Sequence, residues 1–332
     1  MQERNTSLRE PGLDLLRLLS MLLVIVLHLL GQGGVLAALT PGSGHYWAAW
    51  ALETAAYCAV DCYALLTGYL LISSRCASAP LLRLWLQVFC YSAGITALFA
   101  CFRESVTPLR FLQACLPVSF TQYWYFTAYF GVYCCAPFVN RLLRALSPAA
   151  FRRLLATALS LLSLLPTLTG ADPFVTGKGY SFLWLLALYL LGAYLRLCPP
   201  RPRRAREYLA GYLLFVGGLL LLRGIALALD TRLGSAVSHG GWFLTYPSPL
   251  VLGSALCLFG ACRSLRPGLL ATRIIEALAP VSFGIYLLHA QPFVFHRLLA
   301  GAAVPLLALP AWQFGLSAAG AALGIFLLGA AV

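Results

Sequence analysis

The chain is a succession of apolar runs about as long as a bilayer is thick, with its charges kept almost entirely between them. A helix crosses the roughly 30 Å hydrocarbon layer in about 20 residues. Inside that layer every backbone N–H and C=O must be paired within the segment. No ten-residue alternation of the outer-membrane barrel kind is present. The reading is an all-α polytopic membrane protein, one membrane domain over residues 1–332. Composition agrees: 61% of the residues are hydrophobic, 10% are charged and mean hydropathy is +0.84. A water-soluble domain carries about 25% charged residues, so that class and a disordered chain are both excluded.

Ten spans are expected, at 13–31, 46–72, 84–102, 123–139, 154–170, 181–198, 208–224, 246–262, 274–296 and 310–330. With the N-terminus cytoplasmic, sixteen basic residues fall in inner segments and six in outer ones, the bias of the positive-inside rule. The orientation of the last span rests on the count alone. The first span is read as a retained helix rather than a cleaved signal, because it carries Arg17 and His28. Residues 103–122 read as a re-entrant or interfacial segment, 225–245 as an outer loop, and 198–206 as a basic turn against lipid headgroups.

The net charge of +13 does not mark a nucleic-acid binder, because the basic residues sit in short clusters flanking apolar runs. The eleven cysteines lie mostly within spans and show no metal or redox spacing, so they read as core residues and no metal is expected. Nothing in the sequence sets an oligomeric state.

Ionisable residues inside a bilayer are costly and mark function or a buried pair. Arg17 and His28 are eleven residues apart, so they differ by about 20° around a helix and lie about 16 Å apart along it. Asp14, three residues before Arg17, can pair with it. Glu53, at a depth like that of His28, either orients the histidine or pairs with an arginine. Asp61 lies deeper and needs a partner the sequence does not name. His289, late in the ninth span, is a second histidine at outer depth. His45, His239 and His296 read as surface residues, and most Tyr and Trp as interfacial belts.

Four segments carry a resemblance: LDLLRLLSMLLVIVLH around Arg17 and His28, AVDCYALLTGYLL at 59–71, QYWYFTAYFGVYCCAPFVN at 122–140, and SFGIYLLH at 282–289. In order, they resemble the acyltransferase-3 family of transmembrane acyltransferases. One departure is visible after the second span. Where members often carry two basic residues three apart, Arg83 stands at the second position, but Pro80 occupies the first, and Arg75 is the available substitute.

The resemblance implies a bacterial, multi-pass protein of the cytoplasmic (inner) membrane. It implies transfer of an acyl group, usually acetyl, from cytoplasmic acyl-CoA to a hydroxyl of a cell-surface or lipid-linked carbohydrate at the outer face. On that reading His28 is the catalytic base or a transient acyl carrier, with Glu53 beside it. Arg17, Arg75 and Arg83 contact the acetyl-CoA donor, and Trp124, Tyr125 and His289 contact the acceptor. Asp14 and Asp61 are structural. The rival readings are an amino-acid (serine-type) transporter on the same membrane fold and a non-catalytic partner in envelope assembly.

Overall fold

A computed structural model describes residues 10–74, 76–102, 105–233 and 241–332. Among the described residues there are helices and turns and no strands. In chain order the helices are α1 (Pro11–Gly31), α2 (Val35–Ala38), α3 (Gly44–Ala56), α4 (Ala59–Leu71), α5 (Ser78–Cys101), α6 (Pro108–Cys115), α7 (Trp124–Ala145) and α8 (Pro148–Leu159). They continue with α9 (Leu165–Thr169), α10 (Phe182–Leu197), α11 (Ala205–Leu233), α12 (Pro249–Ser264), α13 (Leu269–Leu278), α14 (Ser282–His289) and α15 (Ala311–Ala331).

Every expected span coincides with helix, but seven segments are long and apolar enough to cross a membrane: Pro11–Ala38, Gly44–Leu71, Ser78–Cys101, Pro148–Thr169, Ala205–Leu233, Leu269–His289 and Ala311–Ala331. The other three fall short for two reasons. α10 and α12 have 16 residues each, a rise of about 24 Å. α7 carries Asn140, Arg141 and Arg144 in its last turns.

Two expected spans are interrupted. The 46–72 run breaks at Tyr57–Cys58, between α3 and α4. The 274–296 run breaks at Ala279–Val281, where Pro280 supplies no N–H to the helical ladder. It breaks again after His289, ahead of Pro292, and continues as a π-helical turn at Val294–Leu299. Gln291 caps that turn: its carbonyl accepts from Phe293 N (2.7 Å) and Val294 N (3.1 Å), while its amide donates to Thr96 of α5 (3.1 Å). The loop expected at 225–245 starts later than read, because α11 runs on to Leu233. Of the segment expected at 103–122, residues 105–122 hold the short helix α6 and a series of turns.

α1 lies at the centre and packs against α3, α4, α12, α13, α14 and α15. Its Leu13 and Leu16 belong to one buried cluster with α4, α10 and α12, and Leu18, Met21, Ile25, Leu29 and Leu30 belong to a second with α14 and α15. Glycine permits the closest crossing. A Cβ on Gly192 of α10 would run into the Leu65 carbonyl of α4, and one on Gly68 of α4 into the Tyr189 carbonyl of α10. Small residues let helix backbones approach in this way where water supplies no driving force.

Polar groups tie the same helices. Trp184 Nε1 of α10 donates to Asp61 Oδ1 of α4 at 3.0 Å, with both residues fully buried. This is the partner that the sequence left unnamed. Tyr189 donates to Asn140 Oδ1 (2.7 Å), and Asn140 Nδ2 donates to the Leu71 carbonyl (3.0 Å), joining α10, α7 and α4.

Gly192→Val should force α4 and α10 apart and destabilise the protein by about 1–3 kcal/mol. Gly94→Ala in α5, where a Cβ meets open space, should be neutral or stabilising by up to about 1 kcal/mol. Thermal unfolding of the two variants in detergent checks both; equal midpoints would mean that the crossing does not depend on glycine.

Candidate active site

Pro11 opens α1 at a position where no N–H is needed, and the helix then runs without a break to Gly31. Arg17, Met21, Val24, His28 and Gly31 recur at intervals of four, three, four and three, the spacing of one helix face. That face lines a cavity of about 850 Å³. Arg17 and His28 therefore look into the same space from two levels of one helix. Other parts of the wall come from α3 (Glu53), the break after it (Tyr57), α4 (Tyr63, Thr67), α7 (Trp124, Tyr125, Tyr129), Tyr180, Tyr246, α14 (Ser282, Tyr286), and Phe295 and His296 beyond it.

Arg17 is held from its own helix. Its Nη1 donates to Asp14 Oδ1 at 3.0 Å. Asp14 is buried and is itself absent from the cavity wall. Tyr63 donates to the Arg17 carbonyl at 2.8 Å, which fixes α4 against α1 at this level.

His28 is held from α14. His289 Nδ1 lies 2.6 Å from the Ile285 carbonyl, and His289 Nε2 lies 3.1 Å from His28 Nδ1. A carbonyl oxygen only accepts, so His289 carries its proton on Nδ1 and offers a lone pair at Nε2. His28 must then donate from Nδ1, which leaves its Nε2 unprotonated. Phe295 packs edge-on against the His28 ring, with centroids 4.9 Å apart. One ring nitrogen is thus committed to His289, and the other is a base.

His289 is buried behind His28 and is not a lining residue, so the structure puts it against the histidine rather than against the cavity. Glu53 does line the cavity at 7% exposure, and no hydrogen bond joins it to His28 among the described residues. Its buried Oε2 has no hydrogen-bond partner there. Arg83 is exposed on α5 and absent from the wall, although the next residue, Leu84, lines it. Arg75 lies outside the described residues, as does His239.

Trp124 and Tyr125 both line the cavity. Trp124 belongs to a ring cluster, with centroids 4.6 Å from Tyr180 and 6.3 Å from Tyr246, while Tyr57 lies 5.0 Å from Tyr246. Eight tyrosines line the cavity in all, where the sequence suggested membrane belts. The available signal was position: Tyr57, Tyr63, Tyr129 and Tyr286 fall well inside expected spans, away from either interface. His296, read as a surface residue, also lines the cavity, with its Nδ1 3.4 Å from Gln32 Nε2. His45 contacts the Leu309 carbonyl at 2.7 Å.

The arrangement is a roomy aromatic chamber with one oriented imidazole base, a carboxyl group whose Oε2 has no hydrogen-bond partner among the described residues, and a guanidinium at a different level. Such a chamber suits general-base chemistry on a ligand with flat apolar faces. Comparison with known proteins adds the family. No curated protein and no solved structure matches the chain. A family model described as an acyltransferase domain matches residues 10–330. The chain therefore belongs to the acyltransferase-3 family of membrane acyltransferases.

Proposed function

We propose that this protein moves an acetyl group from cytoplasmic acetyl-CoA to a hydroxyl of a carbohydrate at the outer face of the bacterial inner membrane. The observation that carries the reading is the shared cavity: Arg17 and His28 face it from one stripe of α1, and the histidine is presented as a base. His28 Nε2 takes the acceptor hydroxyl proton as the oxygen attacks the thioester carbonyl. The tetrahedral intermediate collapses, the C–S bond breaks, and the CoA sulfur leaves with the proton that His28 had gained. His289 accepts from His28 Nδ1 throughout and stabilises the transient imidazolium.

Arg17 stands about 16 Å along the helix from His28, too far to touch the same carbonyl. Its role is to hold a remote part of the donor, a phosphate or the pantetheine arm, since a guanidinium fork suits phosphate oxygens. Arg83 and Arg75, on the same expected side, extend the donor path. Trp124, Tyr125 and the neighbouring tyrosines offer ring faces for the acceptor, and Glu53 accepts from its hydroxyls. The transporter reading draws no support from the cavity, which contains a positioned base.

Purified protein should release CoA from acetyl-CoA, and His28→Ala should lower that rate by roughly 10²–10⁴-fold. A thiol-detection assay measures it; a rate unchanged by the substitution would sink the base assignment.

His289 should behave as a positioning residue. His289→Ala frees the His28 tautomer and should cut kcat by about 10-fold or more with little change in KM, and should move the pH–rate profile. His289→Gln, which restores an acceptor near the position of Nε2, should recover much of the loss. Equal activity in the Ala and Gln variants would argue against the tautomer role.

Arg17→Gln should raise KM for acetyl-CoA by about 10-fold, the value of one charge-assisted contact, and spare more kcat than the His28 variant. Direct CoA titration is the check, and unaltered affinity would remove Arg17 from the donor site.

A further inference from the structure

Beside the aromatic chamber lies a second cavity, of about 540 Å³. Thr96 of α5, Arg110 and Gln113 of α6, Gln122 ahead of α7, and His296 and Arg297 of the π-helical turn line it. Gln122 and His296 line the first chamber as well. A group held here is therefore separated from the His28 space by shared side chains, not by a layer of core.

The two cavities differ in chemistry. The first is walled by rings. The second presents two guanidinium groups, two carboxamides, an imidazole and two hydroxyls. Guanidinium forks and amide N–H groups are the donors that recognise phosphate oxygens. A neutral sugar hydroxyl calls for no such concentration of cations. The element that delivers Arg110 and Gln113 supplies a second observation. On α6, Leu109, Phe111 and Leu112 are all exposed, so this short helix carries apolar side chains outward beside its polar contribution to the cavity. An amphipathic helix of this kind lies in an interfacial layer, at the level of lipid phosphates.

We propose that the second cavity is a phosphate-binding subsite of the acceptor, with Arg110 and Arg297 as its principal ligands. The proposal rests on the acyltransferase reading of the neighbouring chamber and narrows its acceptor to a phosphate-bearing carbohydrate. The phosphate anchors the acceptor, and the attached sugar reaches past His296 and Gln122 into the ring-lined space before His28.

The test uses the purified full-length protein in an uncharged detergent, with CoA saturating so that the donor end is occupied. Thermal unfolding is followed against dodecyl phosphate and, separately, inorganic phosphate. Dodecyl phosphate should stabilise the wild type, and its half-saturating concentration should rise about 10-fold in Arg110→Gln and in Arg297→Gln. Gln113→Glu, which puts a carboxylate into the cavity, should weaken it too, and provides the test if an arginine variant loses cooperative unfolding. Inorganic phosphate acting as strongly as dodecyl phosphate would support the subsite and assign it to a phosphate on a glycan. Inorganic phosphate weaker by 10-fold or more would support it and assign the phosphate to a lipid carrier. No stabilisation of the wild type by either probe, or identical stabilisation of wild type and variants, would overturn the proposal. His28-dependent CoA release by the same wild-type preparation separates that failure from a failure of the acyltransferase reading.

Discussion

An apolar helix can carry ionisable side chains through the middle of a bundle only if each meets a partner there. The design of this protein follows from how α1 meets that requirement. Asp14 serves Arg17 from one turn away. His289 serves His28 from α14. Each partner takes up one side of its residue and leaves the other facing the cavity. Both partners are themselves anchored by the backbone geometry of a helix: Asp14 by i,i+3 proximity, and His289 by the carbonyl of Ile285 one turn earlier. The polar stripe is therefore both satisfied and directional.

This requirement also explains why the helix bearing His289 is broken. A continuous 274–296 helix would keep His289, Phe295 and His296 on one straight axis. Instead, Pro280 ends α13, and the chain resumes as the eight-residue α14. Another proline follows, and Gln291 re-caps the chain while tying it to Thr96. The short helix is thus clamped at both ends, and His289 sits in its last turn, where the Ile285 carbonyl is within reach. The same break swings the π-helical turn round, so that Phe295 closes on the His28 ring and His296 joins the cavity wall. Tyr123 reinforces the placement by donating to the Leu287 carbonyl at 3.0 Å, which bridges α14 to the start of α7.

What the sequence made legible was what depends on one helix at a time. The spacing of Arg17 and His28 puts both on one face, and that face lines the cavity. The Asp14–Arg17 pair follows from i,i+3 geometry. Features made by two helices were not legible. Asp61 needs a donor, but only the α4–α10 crossing selects Trp184 from among the aromatic residues of the chain. His289 shares the depth of His28 in sequence, yet only the packing of α14 against α1 turns the two into one hydrogen-bonded unit. The tyrosine wall was misread because a tyrosine at a membrane interface and a tyrosine lining an internal chamber satisfy the same rule: an apolar ring with a polar tip in a wet place.

The separation of Arg17 from His28 has a mechanistic consequence of its own. One residue cannot both grip the charged end of a donor and receive a proton at its reactive end when these lie about 16 Å apart along a helix. On the proposed function the chain would divide the tasks along α1, with the guanidinium near the Pro11 end and the imidazole near Gly31. An extended donor laid along that stripe would bring its thioester to His28 without passing its charged portion through the apolar layer. A rigid central helix suits this arrangement because helix geometry, not loop closure, sets the distance between grip and base. The neighbouring helices then have only to keep the stripe uncovered, which the ring-lined cavity does.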